Sequence, residues 1–344
     1  MNKNVVKKIF WMCFTFLLSV LTIWTLLKQN ESMSLQRLLE LISNADKKWL
    51  TAAIISTACY VLFEALAICT ILKGLDHVGH FKKGLIYSTS DVYFSAITPS
   101  STGGQPASAF FMIKDGISAG VTSATLLINL MMYNISIVIL GIIAIIMAPK
   151  SFFEFHLAAK IFILVGFVGL TMLSVIILSV LKDGNKIFVL VRRFINFLYS
   201  KKLIHRLEHK LERIDKIEAD YTNCAQMIAG KTSILMKALF WNIIQRASQI
   251  IVPTFVFVAL GGSEKLSSLL FSKQCLITIG YNYVPIPGSL GIADYLMIDG
   301  FSSIMSKDAA FELDMLSRGL TFYICVTLSG IITLIGYLKG RKNK

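Results

Sequence analysis

The chain has 344 residues, of which 55% are hydrophobic and only 16% charged, and it carries a net charge of +14. That composition excludes an ordinary soluble domain and indicates an integral membrane protein. The basic excess would suit nucleic acid in a soluble protein, but there is no zinc finger, RNP-like sequence or soluble basic domain long enough to bind it. The Lys and Arg residues instead mark loops facing anionic lipid.

The N-terminus sets Lys3, Lys7 and Lys8 before an apolar run, Ile9–Leu27, which has no small-residue cleavage site after it and is long enough to span a membrane as a retained first helix. A mixed-charge linker, Lys28–Lys48, leads to a second helix over about Trp49–Leu72. After a basic loop with Lys73, Lys82 and Lys83, the apolar segment Gly84–Ile113 is interrupted by Thr98-Pro-Ser-Ser-Thr-Gly-Gly-Gln-Pro106. Pro99 disfavours α conformation at Thr98, whereas Ser100, Ser101 and Thr102 can cap a new helix and Pro106 suits its first turn. The pattern predicts helix, break, helix, with the break at membrane depth. Such backbone is tolerated there only inside protein or beside a water-filled cavity.

Further helices are predicted over about Val121–Met147, Ala158–Leu181, Ala238–Leu260 and Leu316–Leu338. The polar stretch Lys182–Lys237 carries Leu203, Leu207, Leu211, Ile214 and Tyr221 at helical spacing and reads as an amphipathic helix. Its His205 and His209 lack further ligands, so they belong to a solvated face rather than a metal site. Leu266–Met305 is a second interrupted apolar segment, broken at Val284-Pro-Ile-Pro-Gly-Ser-Leu-Gly291.

The four basic regions lie together on the cytoplasmic side only if each interrupted segment enters and leaves on one side. Half-helices of about twelve residues reach about 18 Å, just past the middle of a hydrocarbon core about 30 Å thick. The expected fold is all-α and polytopic, with about six spanning helices plus two re-entrant hairpins in an inverted repeat. The expected divisions are 1–48 (first helix and linker), 49–147 (first repeat), 148–237 (connecting helix and basic stretch) and 238–344 (second repeat and basic tail). Both termini are expected in the cytoplasm of a bacterial-type cell.

Each break presents half-helix N–H groups, which attract anions. The candidate substrate-binding residues are Ser100, Ser101, Thr102, Gly103, Gly104 and Gln105 at the first break and Pro287, Gly288, Ser289 and Gly291 at the second. The bland alternative for the glycines is tight helix packing. Arg246, Asp91 and Asp294 join the candidates, because ionisable groups in apolar segments are expensive and default to function. Arg246 could neutralise a lipid phosphate or pair internally with Glu64 or an Asp. Asp91 and Asp294 could meet a cationic headgroup or carry a proton. For Glu64 and Asp299 internal pairing is favoured. The six cysteines are scattered without Cys-x-x-Cys, so neither a disulfide framework nor a zinc site is indicated. No Walker loop, Gly-x-Ser-x-Gly or nucleophile–base pair is present, and neither a metal nor a cofactor is expected.

Thr98–Pro106 followed by Lys114-Asp-Gly-Ile117 resembles the first signature of the lysylphosphatidylglycerol synthase transmembrane family, which includes the flippase half of the multiple peptide resistance factor. Pro285-Ile-Pro-Gly-Ser-Leu-Gly-Ile-Ala-Asp294 is similar to its second, with Asp294 where Glu is usual. The resemblance covers about Trp49 to the C-terminus. It implies a lipid flippase that moves an anionic or aminoacylated phospholipid between leaflets. The soluble domain with which the best-known members use lysyl-tRNA is not expected after Lys344, so no intrinsic catalysis is expected either. An enzyme of lipid-linked substrates, or a scaffold for a separate synthase, stays open as an alternative. The expected partners are the membrane and an anionic phospholipid, with a separate synthase and a second copy of the chain as further candidates and nucleic acid excluded.

Overall fold

The structure, a computed structural model, describes residues 35–98, 102–182, 188–189, 192–193, 196, 200, 211–212, 214–216, 218–219, 222, 230–282 and 291–342. The expected first helix, most of the 182–237 stretch with His205 and His209, and Ser100, Ser101, Pro287, Gly288 and Ser289 lie outside the described residues.

The protein is an all-α polytopic membrane protein. In chain order the helices are α1 (Leu35–Asn44), α2 (Lys47–Gly74), α3 (Phe81–Ile97), α4 (Gly104–Lys114), α5 (Ala119–Met147), α6 (Leu157–Lys182), α7 (Thr232–Ile250), α8 (Val252–Ala259), α9 (Ser267–Tyr281), α10 (Ile292–Phe301), α11 (Lys307–Arg318) and α12 (Cys325–Lys342). Five stretches among the described residues are long and apolar enough to cross a membrane: α2, α5, Leu157–Ser179 of α6, α7 with α8, and α11 through α12. Caps define several starts. Asp46 accepts from Lys48 N at 2.8 Å ahead of α2, and Ser118 accepts from Val121 N at 3.3 Å ahead of α5.

The helix arriving through the first interrupted segment stops at Ile97, one residue before Thr98, as Pro99 requires. Arms α3 and α4 then pack on each other. Their outer ends meet where Tyr87 donates to Asp115 at 2.7 Å and Lys83 pairs with Asp115 at 3.6 Å, so the segment is a closed hairpin. In the second interrupted segment α9 packs on α10, with residues 283–290 between Asn282 and Gly291. Its outer end is tied to the 148–156 loop. Glu154 accepts from Ser303 at 3.0 Å and pairs with the fully buried Lys273 at 2.6 Å, while Asp299 accepts from His156 N at 3.0 Å. The Lys273 ammonium holds the Glu154 carboxyl below its usual range.

The hairpins enter from opposite ends of the bundle. Lys231, which opens α7, donates to Gly74 O at 2.8 Å, and Lys114 donates to Tyr337 O at 3.3 Å, so one end gathers the open end of α3–α4, the close of α2 and α12 and the start of α7. Asp46 N donates to Ala259 O at 2.8 Å at the other end, where the second hairpin opens. Packing between the halves is reciprocal: α2 lies on α7, α3 lies on α12, and α9 lies on α5.

Many polar residues turn inward beside the apolar core, while large apolar side chains cover much of the outer surface. Ser88, Thr89, Ser90, Asn242 and Ser272 are fully buried, whereas α6 exposes Val165, Val168 and Met172. The closing helix differs from expectation. It starts at Lys307, nine residues before Leu316, capped by the Ser306 hydroxyl on Ala309 N at 3.3 Å, and passes through a π-helical stretch, Gly319–Ile324, into α12. Asp308, Glu312 and Asp314 are thus helical, and Asp314 pairs one turn on with Arg318 at 3.2 Å.

Single cysteines in a background without the native ones test the hairpins. Lys82→Cys and Ile117→Cys should react with an impermeant thiol reagent from one face of the membrane, and Lys265→Cys and Lys307→Cys from the other. Labelling of the two ends of one hairpin from opposite faces would contradict the fold.

Candidate functional site

The hairpins, α2, α5, α7 and α11 surround a cavity of about 640 Å³. Its walls hold two arginines, Arg246 from α7 and Arg318 from α11, with Asp91 and Gln105 from the first hairpin and Asn282 from the second.

Arg246 is 4% exposed. Its guanidinium lies over the Tyr133 ring at 4.1 Å and the Tyr60 ring at 4.8 Å. A planar, weakly hydrated cation suits such faces. Nη1 donates to Gln249 Oε1 at 2.7 Å and to the Tyr133 hydroxyl at 3.4 Å, while Nε has no hydrogen-bond partner among the described residues. Tyr133 in turn donates to Asn282 Oδ1 at 2.8 Å, so the tip of the second hairpin is tied to Arg246 through one phenol. The first hairpin meets the same group from the other side. Glu64 of α2 and Asp91 of α3 both line the cavity; Ser88 donates to Glu64 at 3.0 Å and Ser95 to Asp91 at 3.2 Å. Glu64, expected to be a structural partner, lines the cavity. Asp299 holds the His156 backbone away from it.

Arg318 sits between two carboxylates, with Nε 2.6 Å from Asp294 Oδ1 and 3.2 Å from Asp314 Oδ1. Asp294 also accepts from Gly291 N at 2.8 Å, closing the N-terminus of α10. Gly291 has φ +79°, a left-handed conformation that favours glycine. The Asp at 294 therefore orients Arg318 and caps a helix at once.

The glycines of the first break face the opposing arm. Gly103 N donates to Thr98 Oγ1 at 2.8 Å. A Cβ on Gly104 would collide with the Asp91 and Ser95 side chains and lie 2.7 Å from the Asp91 carbonyl. The close approach here is α4 against α3, the tight packing that the sequence leaves as the alternative for these glycines, so a large side chain at 104 would open the hairpin. Thr102 is exposed beside them. Of the residues anticipated from sequence, Arg246, Asp91 and Gln105 line the cavity directly, and Asp294 reaches it through Arg318. Tyr60, Tyr133 and Arg318 were not anticipated. The Asp314/Arg318 spacing of four within a run of periodic leucines was the available signal for the last.

Residues 12–329 match the family described as lysylphosphatidylglycerol synthase TM region. The chain belongs to that family. Among curated proteins it is similar to a UPF0104 membrane protein of Pyrococcus horikoshii, 24% identical over 90% of this chain and 92% of the relative. It is also similar to a UPF0104 membrane protein of Archaeoglobus fulgidus, 22% identical over 87% of this chain and 90% of that protein. No solved structure matches it.

The Arg318 cluster generates a test in which order matters. Removing the cation alone leaves Asp314, which is fully buried, without its partner. Breaking a buried pair from one side costs about 3–5 kcal/mol, whereas replacing the whole group by apolar residues is close to neutral. Arg318→Leu should lower the thermal unfolding temperature in detergent markedly, and Arg318→Leu with Asp314→Leu and Asp294→Asn should recover most of it. Equal losses in both would show that the cluster is not an electrostatic unit.

Proposed function

We propose that this membrane protein, a member of a lipid-related family, is a flippase that carries an anionic or aminoacylated phospholipid between leaflets, with the headgroup in the cavity between the hairpins. One observation carries the reading: Arg246 is buried at mid-bundle, faces the cavity, and keeps its Nε–H unpaired among the described residues. A buried donor without a partner costs about 1–3 kcal/mol, more when charged. A phosphate oxygen is the acceptor that removes that cost. Gln105, at the start of α4, offers a second polar contact, and the acyl chains stay in lipid.

The reciprocal packing of α2 with α7, α3 with α12 and α9 with α5 supports an inverted repeat, units 49–147 and 238–344, that rocks around the headgroup. The end of the bundle carrying Lys73, Lys82, Lys83 and Lys114 is its cytoplasmic end by the positive-inside rule, which places the C-terminus inside the cell. Aminoacyl transfer is assigned to a separate synthase.

Reconstituted protein should move labelled phosphatidylglycerol across liposome membranes. A charge-assisted hydrogen bond of about 1.5–3 kcal/mol sets the loss on Arg246→Gln at about ten- to hundredfold, with the variant still eluting as a folded species. Transport by Arg246→Gln at the wild-type rate would reduce Arg246 to a packing residue and remove the basis of the reading.

A further inference from the structure

The carboxyl pair beside Arg246 does work that an anion site alone does not need. Glu64 is 5% exposed, and it lines the cavity together with Asp91 from the packed helices α2 and α3, each carboxyl accepting from a serine. Two carboxyls share that wall with one arginine of α7, and unbalanced charge there is expensive, so the pair holds one proton between them. The charged and titratable neighbours are Tyr60 on α2, Tyr133 on α5, Arg246 on α7 and Cys325 on α12. Of these, Arg246 alone is a cation. Its buried Nε, without a partner among the described residues, points to an anion entering the same cavity.

We propose that Glu64 and Asp91 form a proton-binding site that loads together with the anionic headgroup at Arg246, so that lipid and proton move through the cavity as one neutral load. The inference rests on the headgroup reading above and adds the coupling ion.

The charge balance dictates the coupling. Arg246 and the pair with one shared proton sum to zero. A phosphate diester brings one negative charge into a space where unbalanced charge is expensive. Uptake of one proton from water turns the remaining carboxylate into a carboxylic acid and restores zero. Release of the headgroup returns that proton to water and leaves the pair singly charged opposite Arg246. By linkage, whatever favours the proton favours the lipid, and the reverse. Movement of the neutral load is driven by the proton gradient and is insensitive to membrane voltage while loaded.

The pair is built for this task by its position. Glu64 sits on α2, which packs against α7, while Asp91 sits on a hairpin arm whose partner arm begins at Gly104, packed directly on Asp91 and Ser95. A change of charge at Asp91 is therefore felt at the closure of the first hairpin, and the same site that counts charge also touches the element that would move.

Calorimetric titration of detergent-purified wild-type protein with short-chain phosphatidylglycerol, in two buffers of different ionisation heat, counts the protons taken up per lipid. About one proton should enter with each lipid, and affinity should weaken about tenfold per pH unit on the alkaline side, as one linked proton requires. Glu64→Gln and Asp91→Asn each keep one carboxylate that can still take up the proton, whereas the variant with both changes should bind with little proton uptake and a flattened pH dependence. An infrared carboxylic-acid band present in lipid-free wild-type protein and lost in both single variants reads the shared proton directly. Lipid binding by wild-type protein with no proton uptake would overturn the coupling and leave the headgroup site standing. No binding at any pH would overturn both. Because the proton count is made on the wild-type chain, poor folding of a variant leaves the outcome decisive.

Discussion

Charge in hydrocarbon must be matched or hidden, and the arrangement of this bundle follows from where its interior charges are matched. Arg246, Arg318, Glu64, Asp91, Asp294 and Asp314 come from five different helices, yet all belong to one cavity wall or to its immediate support. Arg318 is matched twice over, by Asp294 and Asp314. Arg246 is held by two ring faces and the Gln249 amide oxygen, and shares the cavity with Glu64 and Asp91 without an ion pair to either among the described residues. One arginine is thereby fixed in the structure, and the other is left able to take an anion.

The broken helices exist to serve that geometry. An unbroken helix would carry its polar groups past the middle of the bilayer and out again, whereas a hairpin ends at mid-depth and can place Gln105 or Asn282 at its tip. Both hairpins converge on the same few groups. Asn282 reaches Arg246 through the Tyr133 hydroxyl, and Asp91 lines the same cavity with Glu64. The cost of interrupted backbone is limited by local closure, as where Thr98 bridges Phe94 O and Gly103 N.

Much of this was legible in the chain itself. Long apolar runs located α2, α5 and α6 to within a few residues, and the proline-glycine clusters located both breaks, because these signals depend on local hydropathy and backbone geometry alone. Arg246 and Asp91 stood out as ions in apolar surroundings. The rest required knowledge of which helices meet. Tyr60 and Tyr133 read as ordinary aromatic residues until α2 and α5 bring them to either side of one guanidinium. Arg318 was hidden because Lys307, Asp308, Glu312 and Asp314 made the start of the closing helix look like a polar loop, although it is capped by Ser306 and continuous with α12 through Gly319–Ile324. Gly104 illustrates the converse: its type was informative, but a ligand and an opposing helix arm demand the same absent Cβ, and only the contact with Asp91 separates them.

The central claim is that the headgroup enters the cavity beside Arg246 rather than riding on the outer surface. Photo-crosslinking with phosphatidylglycerol bearing the reactive group on its headgroup tests it most directly. Adducts on peptides containing Tyr60, Tyr133 or Gln249, competed away by unlabelled lipid, are the predicted result. Adducts confined to the outward face of α6, around Val165, Val168 and Met172, would contradict the account.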